Sequence, residues 1–265
     1  MTPKVSILVG VFNGERFLVE LLDSIRSQTV PDWVCICVND GSTDGSTAIL
    51  VDAARRDARF RVLSQPNGGV GAARNAALAV VRTPYVMFAD QDDRLLPDAV
   101  ARAVAAIEAE RADIVHFRSN RNLARSIFVW EHIFRTSAVG ATRFPPITGG
   151  EDTAFFWELG FKNLRTASID AELYFNRPYR GSFSRAVSPR YVDNVFAGYR
   201  AMWACGLRQG LRPGKLRRRL FPHVFWFALS VLLRHGRAAN LRALVRNVLS
   251  LCRHAETALT DRVVR

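Results

Sequence analysis

An α/β fold built on a mostly parallel sheet is predicted for this chain of 265 residues by three observations. Short apolar, β-branched runs recur without polar alternation, as strands buried on both faces do. Amphipathic stretches of helical spacing separate them, so strand and helix alternate. Polar clusters follow three of the runs directly, where open parallel sheets bind ligands.

Residues 5–12 (VSILVGVF) form the first such run. Residues 15–28 then place Phe17, Leu18, Leu21, Leu22 and Ile25 on one helical stripe. Residues 33–38 are a second buried strand, and Ser42-Thr43-Asp44-Gly45-Ser46 is expected to cap a helix running through Ala54. Residues 60–63 make a third strand. After Asn67-Gly68-Gly69, an alanine-rich helix spans about residues 71–81 and stops at Thr83-Pro84. Residues 85–89 are a fourth strand leading into Asp90-Gln91-Asp92-Asp93. Pro97 opens a helix to about residue 110, and residues 114–117 are a fifth strand. Residues 118–150 carry no interpretable pattern.

Charge divides the chain. Residues 1–176 hold 19 Lys/Arg against 21 Asp/Glu, whereas residues 177–265 hold 18 against 3. The tail is a separate basic object, and its expected partner is an anionic surface. The four cysteines, 35, 37, 205 and 252, have neither zinc spacing nor the density of a disulfide scaffold, and are expected to be reduced. Met-Thr-Pro-Lys runs straight into the first strand, so no signal peptide is expected. The longest apolar stretch, residues 220–233, is interrupted and shorter than the roughly 20 residues a spanning helix needs.

The carboxylates of Asp90-Gln91-Asp92-Asp93 repel one another unless a cation joins them. Hard oxygens suit Mg²⁺ or Mn²⁺, held by one or two carboxylates plus substrate phosphates; a solvated turn is the alternative. The segment from Asn67 to Asn75 lacks the third glycine of a dinucleotide loop and the Gly-Lys-Ser/Thr of an NTPase loop. It fits a phosphate-facing helix start carrying Arg74 and a plain tight turn equally well. Glu151-Asp152 precedes an apolar helix, residues 153–159, and suits either a helix cap or a general base.

Taken in order, residues 5–13 (VSILVGVFN), Ser27-Gln28-Thr29, residues 38–45 (VNDGSTDG), residues 67–75, residues 88–93 with Pro97, and Gly150-Glu151-Asp152-Thr153 resemble family-2 glycosyltransferases of the GT-A fold. The resemblance covers about residues 4–185. It implies an inverting transferase with nucleotide-sugar binding in about residues 1–93, an acceptor side in 94–190, and a helical basic extension over 191–265. It implies that Asp40 bonds the base, with Phe12 and Arg74 near the nucleoside. Asp90 would approach the ribose or sugar and share with Asp92 a divalent metal, Mn²⁺ or Mg²⁺. Asp152 would be the catalytic base, with Glu151 beside it at the donor pocket. Asn39 stands where the family usually has a first acid, and Gln91 where Ser is commoner. Arg177 or Arg180 could meet the diphosphate, and Gly181-Ser182-Phe183-Ser184 would close the domain.

The implied reaction moves a sugar from a nucleoside diphosphate, expected to be a UDP-sugar, to a glycan or lipid-linked acceptor in cell-surface polysaccharide or lipopolysaccharide-type synthesis. In the tail, Tyr199, Met202, Trp203 and Leu207 form one apolar stripe. Lys215-Leu216-Arg217-Arg218-Arg219 leads into Leu220-Phe221 and Val224-Phe225-Trp226-Phe227. Arginines beside aromatics suit an interfacial helix on anionic lipid, which implies a cytoplasmic enzyme peripheral on the inner membrane face. The same helices could instead pack on the catalytic domain or another subunit. No nucleic-acid motif is present. A nucleotidyltransferase on a similar sheet, or a nucleic-acid-binding protein acting through the tail, are the rival readings.

Overall fold

The computed structural model describes residues 2–121, 128–147, 149–160, 163–178, 189–235, 242–248 and 250–251. The chain divides into two compact units, one of Met1–Pro146 with Leu159–Arg177, the other of Ile147–Glu158 with Pro178–Arg265.

In the first unit the predicted alternation is present. It runs β1 (Val5–Val11), α1 (Glu15–Arg26), β2 (Trp33–Asp40), α2 (Ser46–Arg56), β3 (Phe60–Gln65), α3 (Val70–Ala79) and β4 (Tyr85–Asp90). Then come β5 (Arg94–Leu95), α4 (Ala99–Ala109), β6 (Ile114–Ser119), a 3-10 turn Val129–Glu131, β7 (His132–Arg135), α5 (Thr136–Val139) and β8 (Thr166–Phe175). The strands form one sheet in the order β3-β2-β1-β4-β7-β6-β8-β5. β3, β2, β1 and β4 are parallel, and β7 enters antiparallel between β4 and β6.

Register does the positioning. Val11 pairs with Asn39, Gly10 with Asp90, and Asp40 with Gln65, so the carboxyl ends of four strands finish level. The alanines of α3 permit close packing on this edge: a Cβ on Gly10 would lie 3.1 Å from Ala73 Cβ. β1 and β2 are buried along nearly their whole length, as their unbroken apolar runs require. Cys35 and Cys37 are buried and reduced on one face of β2, as expected from their spacing; Cys252 lies outside the described residues. α1 buries Leu18, Leu21, Leu22 and Ile25, but Phe17 leaves the predicted stripe and carries the Arg177 guanidinium 4.5 Å above its ring.

β5 departs from simple alternation. It follows β4 after three residues, yet pairs antiparallel with β8 at the far end of the strand order, Arg94 with Phe175 and Leu95 with Tyr174. The sheet therefore curls, bringing β8 back beside the end of β4.

The second unit is helical: α6 (Glu151–Glu158), α7 (Pro189–Arg208) and α8 (Pro213–His235), with residues 242–248 also helical. Its core contains Ala154, Val192, Phe196, Tyr199, Met202, Trp203, Leu216, Leu220 and Val224, with Leu207 packed against it. The predicted stripe is thus an internal face. Gly150 has φ +78°, and a Cβ on Gly198 of α7 would lie 3.2 Å from its carbonyl oxygen, so glycines let the start of α6 approach α7. Among the described residues no helix is long and apolar enough to cross a membrane.

Candidate active site

The level strand ends of the first unit collect Phe12, Asp40, Arg74, Asp90, Asp92 and Arg177. Asp40, buried at the end of β2, accepts the Gly69 amide on one carboxylate oxygen at 2.8 Å. Its other oxygen accepts the Gly68 amide at 2.9 Å and the Gln65 side chain at 2.7 Å. Its backbone oxygen accepts the Asn67 side chain at 3.0 Å. The glycines are needed here. Gly69 has φ +86°, and a Cβ on Gly68 would come within 2.9 Å of Ala72 Cβ. Asp40 thereby folds the 67–69 turn onto the sheet edge and sets where α3 begins.

From that helix Arg74, also buried, donates to Asp90 Oδ1 at 2.8 Å. Its guanidinium lies over Phe144 at 5.2 Å and Phe88 at 6.0 Å. The two rings flank the cation where it meets Asp90 at the strand ends.

The β1–α1 and β2–α2 loops are knitted together. Asn13, at φ +49°, donates its amide to Ser42 Oγ at 3.1 Å and accepts the Thr43 amide at 2.8 Å. Gly14 N–H donates to Ser46 Oγ at 2.8 Å, and Glu15 N–H to Asp44 at 3.0 Å. Gly45 is the N-cap of α2 and has no side chain to close it, but Asp44 from the predicted capping segment accepts the Ser46 amide on Oδ1 at 3.0 Å while its Oδ2 takes the Glu15 amide. The hydroxyls of Ser42 and Ser46 turn to the neighbouring loop. Phe12 stands above this network, 44% exposed.

The acid loop is held from several sides. Tyr174 Oη, on β8, accepts the Asp90 amide at 2.9 Å and donates to Asp93 Oδ2 at 2.9 Å. Asp93 is 1% exposed and also accepts the Arg177 amide at 2.8 Å and the Asn176 side chain at 3.1 Å. Burial, reinforced by the charges of Asp90 and Asp92, pushes its pKa up to about 7. Arg177 Nε donates to the Asp92 carbonyl at 2.9 Å, and its Nη2 pairs with Glu20. Among the described residues no three His, Cys, Asp or Glu side chains converge as a complete metal cage. The donor set instead suits a hard cation taken by one or two carboxylates together with a ligand's phosphates.

Glu151 and Asp152 belong to the second unit and form the first turn of α6 rather than preceding it. Glu151 accepts the Gly149 amide at 2.7 Å, and Asp152 is buried. Arg180 and residues 181–184 lie outside the described residues. Two residues that hold the acid loop carried no assigned role in the sequence: Asp93, hidden among like acids, and Tyr174, whose partners are remote in the chain.

These features gather acids and cations at one edge of a GT-A type sheet. Residues 6–188 match the family model "Glycosyl transferase family 2", and the chain belongs to that family of sugar transferases. It is 36% identical over 193 residues to a chondroitin synthase of Pasteurella multocida, covering 68% of this chain and 19% of that one. The chain thus spans about a fifth of that relative's length. Among solved structures, S. aureus TarS 1–349 in complex with UDP-GlcNAc superposes with TM-score 0.73 at 24% identity, over 92% of this chain and 80% of that one. The mannosyltransferase PcManGT of Pyrobaculum calidifontis, in complex with GDP-Man and Mn²⁺, superposes with TM-score 0.66 at 17% identity, over 100% and 80%.

Proposed function

We infer that the chain transfers a sugar, with inversion, from a nucleoside diphosphate sugar to an acceptor hydroxyl of a cell-surface glycan or lipid-linked intermediate. The observation that carries this reading is the meeting of Asp40, the Arg74–Asp90 pair and Asp92 at one sheet edge. UDP-GlcNAc bound to TarS supports a UDP-sugar donor, and the named product of the chondroitin synthase supports a polysaccharide.

Beyond the three bonds its carboxylate makes within the protein, Asp40 retains one lone pair, on Oδ2, for the base. Phe12 offers its exposed ring to the nucleoside, and Arg74 orients Asp90 toward ribose or sugar. Asp92 and Asp90 would hold a divalent cation, Mn²⁺ or Mg²⁺, which PcManGT's Mn²⁺ supports. When bound, that cation neutralises the charge growing on the diphosphate. Arg177, which touches the Asp92 carbonyl, adds positive charge there. Asp152, with Glu151 beside it, takes the acceptor's proton. The freed oxygen then bonds the anomeric carbon while the sugar–phosphate C–O bond breaks, and a single displacement inverts the centre.

The test is Asp152→Asn, with turnover and donor affinity measured separately. Turnover is expected to fall at least about a hundredfold with donor affinity nearly unchanged. Near-normal transfer would remove Asp152 from the base role.

We place the acceptor reaction at the inner face of the cytoplasmic membrane on one further observation. The outward face of α8 carries Arg217, Arg218, Phe221 and Phe225, the two rings 56% and 54% exposed, opposite buried Leu216, Leu220 and Val224. No acidic residue occurs from 194 to 251, so this basic face complements anionic lipid.

A further inference from the structure

We propose that Gln91 is a positioning residue that locks the acid loop to the nucleoside platform, and that Gly14 is glycine to leave room for it. The proposal rests on the donor-site reading above, in which Phe12 faces the nucleoside and Asp92 the metal.

Gln91 lies between the two candidate metal acids but turns away from them, across to the end of β1. Its Oε1 accepts the Phe12 amide at 2.9 Å, and its Nε2 donates to the Phe12 carbonyl at 3.0 Å. The side-chain amide therefore bonds Phe12 as a neighbouring strand would, saturating both backbone groups just where the β1–β4 ladder has ended at Gly10 and Asp90. A serine is too short to make either bond from the same position.

The surroundings on either side show what the lock holds. On the far side of Asp92, Asp93 is fixed by Tyr174, Asn176 and the Arg177 amide. Asp92 thus sits between an anchor to β1 and an anchor to β8. On the other side, Gly14 has φ −104° and ψ 8°, a conformation open to any L-residue, so its backbone does not demand glycine. What stands in the way of a side chain is Gln91: a Cβ on Gly14 would lie 2.8 Å from Gln91 Cδ and closer still to Oε1. The far end of a flexible side chain yields before backbone does, so Gly14→Ala is expected to evict Gln91 and leave the loop otherwise intact.

The geometry therefore makes the two positions non-additive. The experiment is a cycle of Gly14→Ala, Gln91→Ser and the double variant. It is read by calorimetric affinity for UDP with Mn²⁺, by donor KM and kcat, and by urea unfolding. Each single change is expected to weaken UDP binding and raise donor KM about ten-fold, with kcat held within about two-fold. The double variant should be no worse than Gln91→Ser, because the serine leaves space for the alanine. Costs that add would overturn the lock, as would wild-type UDP affinity in Gln91→Ser. If wild-type protein binds neither UDP nor any other nucleoside diphosphate, the donor-site reading fails instead. The urea cycle then still decides whether Gly14 and Gln91 are coupled.

Discussion

His132, on β7, is 2% exposed, and its Nδ1–H donates to the Phe128 carbonyl at 2.9 Å. Burial, with the His116 ring 5.1 Å away, lowers its pKa to about 3. Folding therefore holds this imidazole neutral, while the unfolded chain takes up a proton below its ordinary value of 6.5. The resulting stability is complete above that value and is lost as pH falls toward 3, at about 1.4 kcal/mol per pH unit. His132→Phe should abolish that slope, so between pH 7 and pH 5 the variant should lose about 2 kcal/mol less than wild type in urea titrations. Equal losses would show that His132 is protonated in the native state. At the candidate site the sequence made Asp40, Arg74, Asp90 and Asp92 visible, because each belongs to a polar cluster after a buried strand. Asp93 could not be told from its neighbours there. Its role comes from Tyr174, Asn176 and Arg177, which reach it only when β8 returns.

Among the elements, β1 to β4, β6 and the helices α1 to α4 were legible because each buries itself through a local apolar pattern. β5 and β7 were not: Arg94–Leu95 has no length and His132–Arg135 no apolar run, and both exist through pairing with distant partners. β8 did carry a signal. Ala167, Ile169, Ala171 and Leu173 alternate with Ser168, Asp170 and Glu172, and the former set packs on the core. The alternation breaks at Tyr174, which is buried on the wrong beat to reach the acid loop. Tyr174→Phe should leave Asp93 and the Asp90 amide each one partner short, at a cost of about 1–3 kcal/mol in urea unfolding. An unchanged midpoint would show that this hydroxyl fastens nothing. The loop it fastens gives the metal test: chelation with EDTA should abolish transfer, and added Mn²⁺ or Mg²⁺ should restore it. Full activity in chelator would sink the assignment to Asp92 and Asp90.

At the scale of the molecule, charge is segregated by sequence: the surplus of cations lies after residue 176. Binding to vesicles containing anionic lipid is expected at low salt, weakening as salt screens the exposed arginines. Phe221→Ser/Phe225→Ser and Arg217→Glu/Arg218→Glu should each reduce it in flotation assays, while binding of UDP with Mn²⁺ is unaltered. Indifference of the wild-type protein to such vesicles would remove the membrane placement.

The curl of the sheet has a consequence for biosynthesis. β4 and β5 leave the ribosome almost together, but the strand that closes the seam between them is β8, made much later. A nascent chain stopped before residue 166 can assemble its first four parallel strands and still leave Asp93 without the hydroxyl that seats it. The acid loop is therefore fully seated only near the end of translation of the first unit, not when its own acids emerge.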